Sequence, residues 1–168
     1  EPVSTITIPP ISFRLNPRAI TPHYPGNSVA DPCEISGTAL RSRLPWANCG
    51  AKAPIILPVG TQITGVGVIA DYSDNENVDC LISASLRSVD LTNGDSVEHD
   101  AVEVVTRTSP FTLDTVDHIK VLPLQGTTVA PYTIYYVSMY ISDPRASSWF
   151  SLAEGSLCAI TGVFVNYH

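Results

Sequence analysis

A chain of 168 residues with 44% hydrophobic residues holds enough apolar side chains for one ordinary core, which excludes global disorder. Its formal charge of −7 comes from 16 acids against 9 bases, with only two lysines, Lys52 and Lys120, and no basic run. A nucleic-acid partner is therefore not expected, and no apolar run approaches the roughly 18 residues that a membrane span needs.

The first element, STITIPPISFRL (residues 4–15), reads as a strand whose apolar residues change phase in the middle. Ile6 and Ile8 share one parity, Ile11, Phe13 and Leu15 the other. Pro9 and Pro10 stand between them, and proline belongs at strand edges or breaks. Two outcomes fit. Either the strand bends and crosses between two sheets of one molecule, or Glu1–Ile8 completes a sheet of a neighbouring subunit by β-strand addition. Ile6, Ile8, Ile11 and Phe13 are the candidate self-assembly residues.

Residues 16–50, rich in proline, are expected to be an irregular excursion with one short strand near Glu34–Gly37. After it the strand signals come regularly, with period-two alternation and many β-branched residues. They are Pro54–Leu57, Thr61–Tyr72, Cys80–Leu91, Ser96–Thr108, Phe111–Leu122, Pro131–Ile141, Trp149–Leu152 and Leu157–His168. Pro58-Val59-Gly60 and Asn93-Gly94 mark turns. Eight or nine strands without a helix predict an all-β fold, a jelly-roll-like β-sandwich forming a single domain over residues 1–168.

The segments ITGVGV (63–68) and ITGVFV (160–165) echo one another. They predict two strands in similar settings within one sheet, with Gly65 and Gly162 offering gaps for a bulky neighbour such as Phe164. Three strands, Thr61–Ala70, Pro131–Ile141 and the last, show two apolar faces, whereas a solvated antiparallel sheet has one polar face. The segment 16–50 or a neighbouring subunit is expected to cover the second face.

Four cysteines, Cys33, Cys49, Cys80 and Cys158, are widely spaced without C-x-x-C, which favours two disulfides over a zinc site. Three pairings are open. Cys33–Cys49 is favoured because it closes a loop of about 15 residues worth about 3 kcal/mol, leaving Cys80–Cys158. Disulfides point to a secreted or cell-surface protein, and a chain that opens on Glu1 is read as a mature, processed form.

Catalytic signals are weak. The block NGDSVEHD (93–100) resembles the nucleophile block of GDS-type esterases, but those use an α/β sheet and a late Asp-x-x-His that this chain lacks. A hairpin turn explains the block better. His23, His99, His118 and His168 are scattered, so no catalytic site, metal centre or cofactor is assigned. The acidic stretch 71–79 carries Asp71, Asp74, Glu76 and Asp79. Its oxygens suit calcium, but without EF-hand spacing it reads as a solvated turn. Tyr132, Tyr136 and Tyr140 recur at strand spacing with Trp149 just beyond, a stripe that stacks sugars or forms a subunit contact.

The segments IPPISFRLNPR (8–18) and LPVGTQITGVGVIADYSD (57–74) resemble a loose group of secreted bacterial β-sandwich proteins. That group opens with an IPAAAFRPR-like strand and carries an LPDGATITGVTVYYYD-like segment. The resemblance implies fold and location but no catalytic residue. The sequence is thus read as an extracellular structural subunit, its main partner a second copy of itself, that builds a filament, tube or surface layer. A secreted glycan-binding module is the alternative.

Overall fold

The computed structural model describes residues 2–15, 33–35, 39–42, 49–72, 80–106, 118–142 and 158–168. These residues form eleven strands and no α-helix. The strands are β1 (Ser4–Ile8), β2 (Arg14–Leu15), β3 (Cys33–Ile35), β4 (Leu40–Ser42), β5 (Cys49–Ile55) and β6 (Gln62–Tyr72). Then come β7 (Cys80–Asp90), β8 (Ser96–Thr106), β9 (His118–Thr128), β10 (Thr133–Ser142) and β11 (Cys158–Tyr167). One sheet runs β3-β4-β11-β6-β9, with β1 also on β11; the other runs β2-β5-β10-β7-β8. Their buried faces share one apolar cluster. Ile8, Leu40, Val66, Val163 and Val165 enter it from the first sheet, and Ala51, Ala53, Leu86, Val137 and Met139 from the second.

The opening segment divides at its prolines. β1 pairs antiparallel with β11 of the same chain, Ile6 opposite Val165 and Ile8 opposite Val163. Pro10–Ser12 then makes one 3₁₀ turn, closed by Ser12 N–H to Pro9 C=O at 3.0 Å and Phe13 N–H to Pro10 C=O at 2.9 Å. Beyond it β2 pairs with β5 of the other sheet, Arg14 opposite Lys52 and Leu15 opposite Ala51. The phase change is the turn: it moves the inward-facing set from Ile6 and Ile8 to Phe13 as the chain changes sheets. Phe13 is buried, but Ile11 sits on the turn and is exposed, so it does not join the paired strand that the alternation predicted.

Several boundaries shift from the sequence expectation. β5 begins at Cys49, inside the segment expected to be irregular, and ends at Ile55. Its inward residues Ala51 and Ala53 are fully buried but too small to give a clear alternation. β9 spans His118–Thr128 rather than ending near Leu122. It carries Pro123, which an edge strand tolerates; among the described residues β9 pairs only with β6. β10 starts at Thr133, after the expected Pro131. The expected strand at 149–152 lies outside the described residues.

The turns follow their chemistry. Gly60 has φ +90°, and Thr61 N–H donates to Pro58 C=O at 3.2 Å, the type II arrangement that needs glycine at its third position. In the β7–β8 hairpin Gly94 has φ +81° and its N–H donates to Asp90 C=O at 2.8 Å. The Asp90 carboxylate accepts the Thr92 N–H at 2.8 Å and its hydroxyl at 2.7 Å, a side-chain mimic of a backbone turn.

The two echoing segments are neighbours in one sheet, Val163 opposite Val68 and Val165 opposite Val66. Phe164 lies opposite Gly67 and Asn166 opposite Gly65. On the second face of this sheet Phe164 is buried, and Ile69 lies 3.4 Å from where a Gly162 Cβ would be. The second face of β10 is different, because Ile134 and Tyr140 remain exposed.

Cys49 is fully buried and disulfide-bonded. The side chains of Cys33, Cys80 and Cys158, and with them the pairing expected from the sequence, lie outside the described residues.

Candidate interaction surface

β5 leaves its sheet at Ile55 just where β10 enters it, since Tyr135 lies opposite Ile55. This places Ile56 and Ile134 at the same end of the sheet. Ile134 also lies opposite Val89 of β7. Between them a cavity of about 350 Å³ is lined by Pro54, Ile56, Leu57, Val129, Ile134 and Tyr135 among others, with no charged side chain in the lining. Ile56 is 88% exposed and Ile134 48%. Val59, Leu91 and Tyr132 are exposed in the turns at this end, and the Leu91 N–H donates to Tyr132 C=O at 2.8 Å. Exposed apolar side chains grouped in this way mark contact sites, unlike scattered ones.

Tyr132 stands out within this group. It has φ 57°, the only positive φ at a non-glycine residue among those described, and its side chain is 75% exposed. The left-handed region costs a β-carbon residue about 1–2 kcal/mol. A bulky aromatic kept in that conformation at the surface is an outlier that points towards use.

The predicted tyrosine stripe is not assembled as one. Tyr136 and Tyr140 share the outer face of β10, but Tyr132 precedes the strand in the turn, and its backbone conformation takes it out of the two-residue repeat. The Lys52 ammonium sits 4.9 Å from the Tyr136 ring centroid, so a cation already occupies one face of that ring. Arg87, opposite Tyr136 on β7, is ion-paired with Glu98 of β8. Tyr140 remains the exposed tyrosine of the pair. Trp149 and most of the acidic stretch, residues 73–79, lie outside the described residues.

Sequence spacing does not reveal one polar group. The β7–β8 register shifts between Leu86 and Arg87, which pair with Asp100 and Glu98 and leave His99 as an extra residue. The bulge swings His99 against the core edge. Its ring stacks on Tyr135 with centroids 5.8 Å apart, and its Nε2 lies 2.7 Å from Ser88 Oγ. Burial pushes the His99 imidazole below its ordinary range. The Tyr135 hydroxyl donates to Thr128 C=O at 3.1 Å and accepts the Ala130 N–H at 3.2 Å, tying the β9–β10 turn to this group. Ser88 is only 5% exposed, so its hydroxyl is closed to a substrate. Gly94-Asp95-Ser96 lies at the hairpin, Ser96 being the first residue of β8.

The candidate assembly residues separate in space. Ile8 and Phe13 are buried and Ile6 half-buried in their own chain, while Ile11 faces solvent. No protein-family model matches the chain, and no curated protein sequence matches it significantly.

Proposed function

We propose that this chain is an extracellular structural subunit, a jelly-roll β-sandwich that assembles with copies of itself. The exposed apolar end around Ile56, Tyr132 and Ile134 carries the reading. It supports a contact surface because its exposed apolar side chains gather at one end of the sheet and one of them is held at backbone cost.

The strand orders support the jelly roll. Taken from β4 to β11, the chain changes sheet at every step except the β7–β8 hairpin, so that one sheet reads β4-β11-β6-β9 and the other β5-β10-β7-β8. Each strand of the second half inserts beside a strand of the first, as two nested Greek keys do. The shared apolar cluster supports face-to-face packing of the two sheets.

The location rests on the disulfide. Cys49 is bonded, and bonded cysteines persist outside reducing compartments. The backbone further narrows its partner. Cys80 begins β7, which is separated from β5 by β10 in the same sheet. Two strand spacings are about 9.5 Å, beyond the roughly 7 Å limit for a bridge. Cys33 or Cys158, both in the other sheet, is left as the partner, so the bond joins the two sheets.

Light scattering and electron microscopy of the full chain test the function. A subunit gives concentration-dependent high-mass species, which shrink on Ile56→Ser with Ile134→Ser. A chain that stays monomeric and binds a glycan array, losing that binding on Tyr140→Ala, overturns the structural reading in favour of the glycan-binding alternative.

A further inference from the structure

β1 is an edge of the six-stranded sheet. Among the described residues it pairs only with β11, so the hydrogen-bonding groups along its other side face no described strand. Ser4, Thr5 and Thr7 are exposed, so this edge reaches solvent. The other long edges are guarded in ways that discourage pairing. β9 carries Pro123 and β8 carries acidic residues including Glu98; proline and charge are the usual protections of an open edge. The sequence Ser-Thr-Ile-Thr-Ile of β1 contains neither, and four of its five residues are β-branched, the side chains that suit a pleated ladder best.

We propose that β1 pairs antiparallel with β1 of a second copy across a two-fold axis at Ile6. The strand is self-complementary about that residue. Thr5 then lies opposite Thr7 of the second copy on the outer face, and Ile6 opposite its counterpart on the inner face. Threonine pairs and β-branched pairs are favourable cross-strand neighbours. The two-fold keeps the inner faces of both sheets on one side, as an isologous contact requires. In this register Val3 comes level with Pro9 of the second copy, beside the turn that exposes Ile11. Val3 and Ile11 are 61% and 70% exposed in the single chain, and the contact supplies each with an apolar neighbour.

The symmetry of Thr5-Ile6-Thr7 about Ile6 selects a second copy as the occupant. Copies carrying a net charge of −7 repel one another, and β1 offers a stretch where they meet without bringing acids together. The contact rests on the reading of the chain as a self-assembling subunit and specifies one of its joints. A second isologous joint at the apolar end, alternating with this one, gives an open chain and not a closed dimer.

Two double variants of the full chain, followed by light scattering with circular dichroism as the folding control, test the contact. Thr5→Lys with Thr7→Lys sets like charges opposite one another across the two-fold and is expected to halve the mass or reduce it further. Thr5→Lys with Thr7→Glu sets lysine opposite glutamate and is expected to restore it. Both variants lose the Thr5 hydroxyl bond to Asn166 Oδ1 at 2.8 Å, so that loss does not account for a difference between them, and the more highly charged Lys/Glu chain regains mass only through the cross-strand pair. If the mass is unchanged in the first variant, or not recovered in the second, the β1 contact is overturned while self-assembly stands. A wild-type chain that is monomeric at every concentration overturns both.

Discussion

Ile8 of β1 lies directly opposite Val163 of β11, and both side chains are buried in the cluster that the two sheets share. The opening strand is therefore part of this chain's own core. Ile8→Ala is expected to cost about 2–4 kcal/mol, the usual range for an isoleucine truncated in a packed interior. Removal of residues 1–8 is expected to cost more, because five ladder pairs with β11 go with it. Urea denaturation measures both. A truncated chain as stable as the full one contradicts the in-chain pairing.

Two glycines respond oppositely to alanine. A Cβ at Gly162 meets nothing closer than Ile69 Cδ1 at 3.4 Å, an ordinary contact, and the residue has no positive φ. Gly162→Ala is expected to be neutral or to stabilise by up to about 1 kcal/mol through the unfolded chain. Gly94 has open space around it but φ +81°, so Gly94→Ala is expected to cost about 1 kcal/mol. Chemical denaturation of the pair separates steric room from backbone conformation.

Tyr132→Gly removes both an exposed aromatic and the cost of φ 57°. Stability is expected to rise by about 1 kcal/mol or less, while the apolar end loses a contact. Melting temperature and assembled mass should then move in opposite directions. If both fall together, the residue serves the fold and not the contact.

Acid acts on two groups in different windows. His99 titrates below its ordinary value of 6.5 because burial disfavours the imidazolium. The unfolded chain therefore takes up the proton first. Stability is unaffected well above pH 6.5 and falls as pH drops from there through the lowered folded value. His99→Gln is expected to flatten that part of the profile. Asp90 lies below 3.8, held there first by the Thr92 hydroxyl and then by the Thr92 N–H. Its contribution is present above that value and lost only as pH falls further, so it leaves the His99 window untouched. Urea midpoints between pH 8 and pH 3 for both chains check the separation.

The Cys49 bond gives a covalent readout. Peptide mapping without reduction is expected to link Cys49 to Cys33 or Cys158, and reduction is expected to lower stability by about 2–4 kcal/mol. A Cys49–Cys80 peptide contradicts the observed order of β5, β10 and β7.

The strand content was written in the sequence. β6, β7 and β11 carry long β-branched alternations, and Asn93-Gly94 closes a hairpin between two such runs, so local preference and pattern agree there. The shared ITG segments likewise fall on two paired strands, with Gly67 opposite Phe164 and Gly162 opposite Ile69. By contrast, β5 was obscured because Ala51 and Ala53 bury too little surface to stand out from a loop. The interaction surface was less legible still. Tyr132 looked like one of three equivalent tyrosines until its φ placed it in a turn, and His99 met Ser88 and Tyr135 only because a bulge shifted the register by one residue. STITIPPISFRL held its phase change openly, because alternation and proline are local properties. Which sheet receives each half depends on the edges left open by β11 and β5, which are far away in sequence, and only the packed tertiary structure decided it.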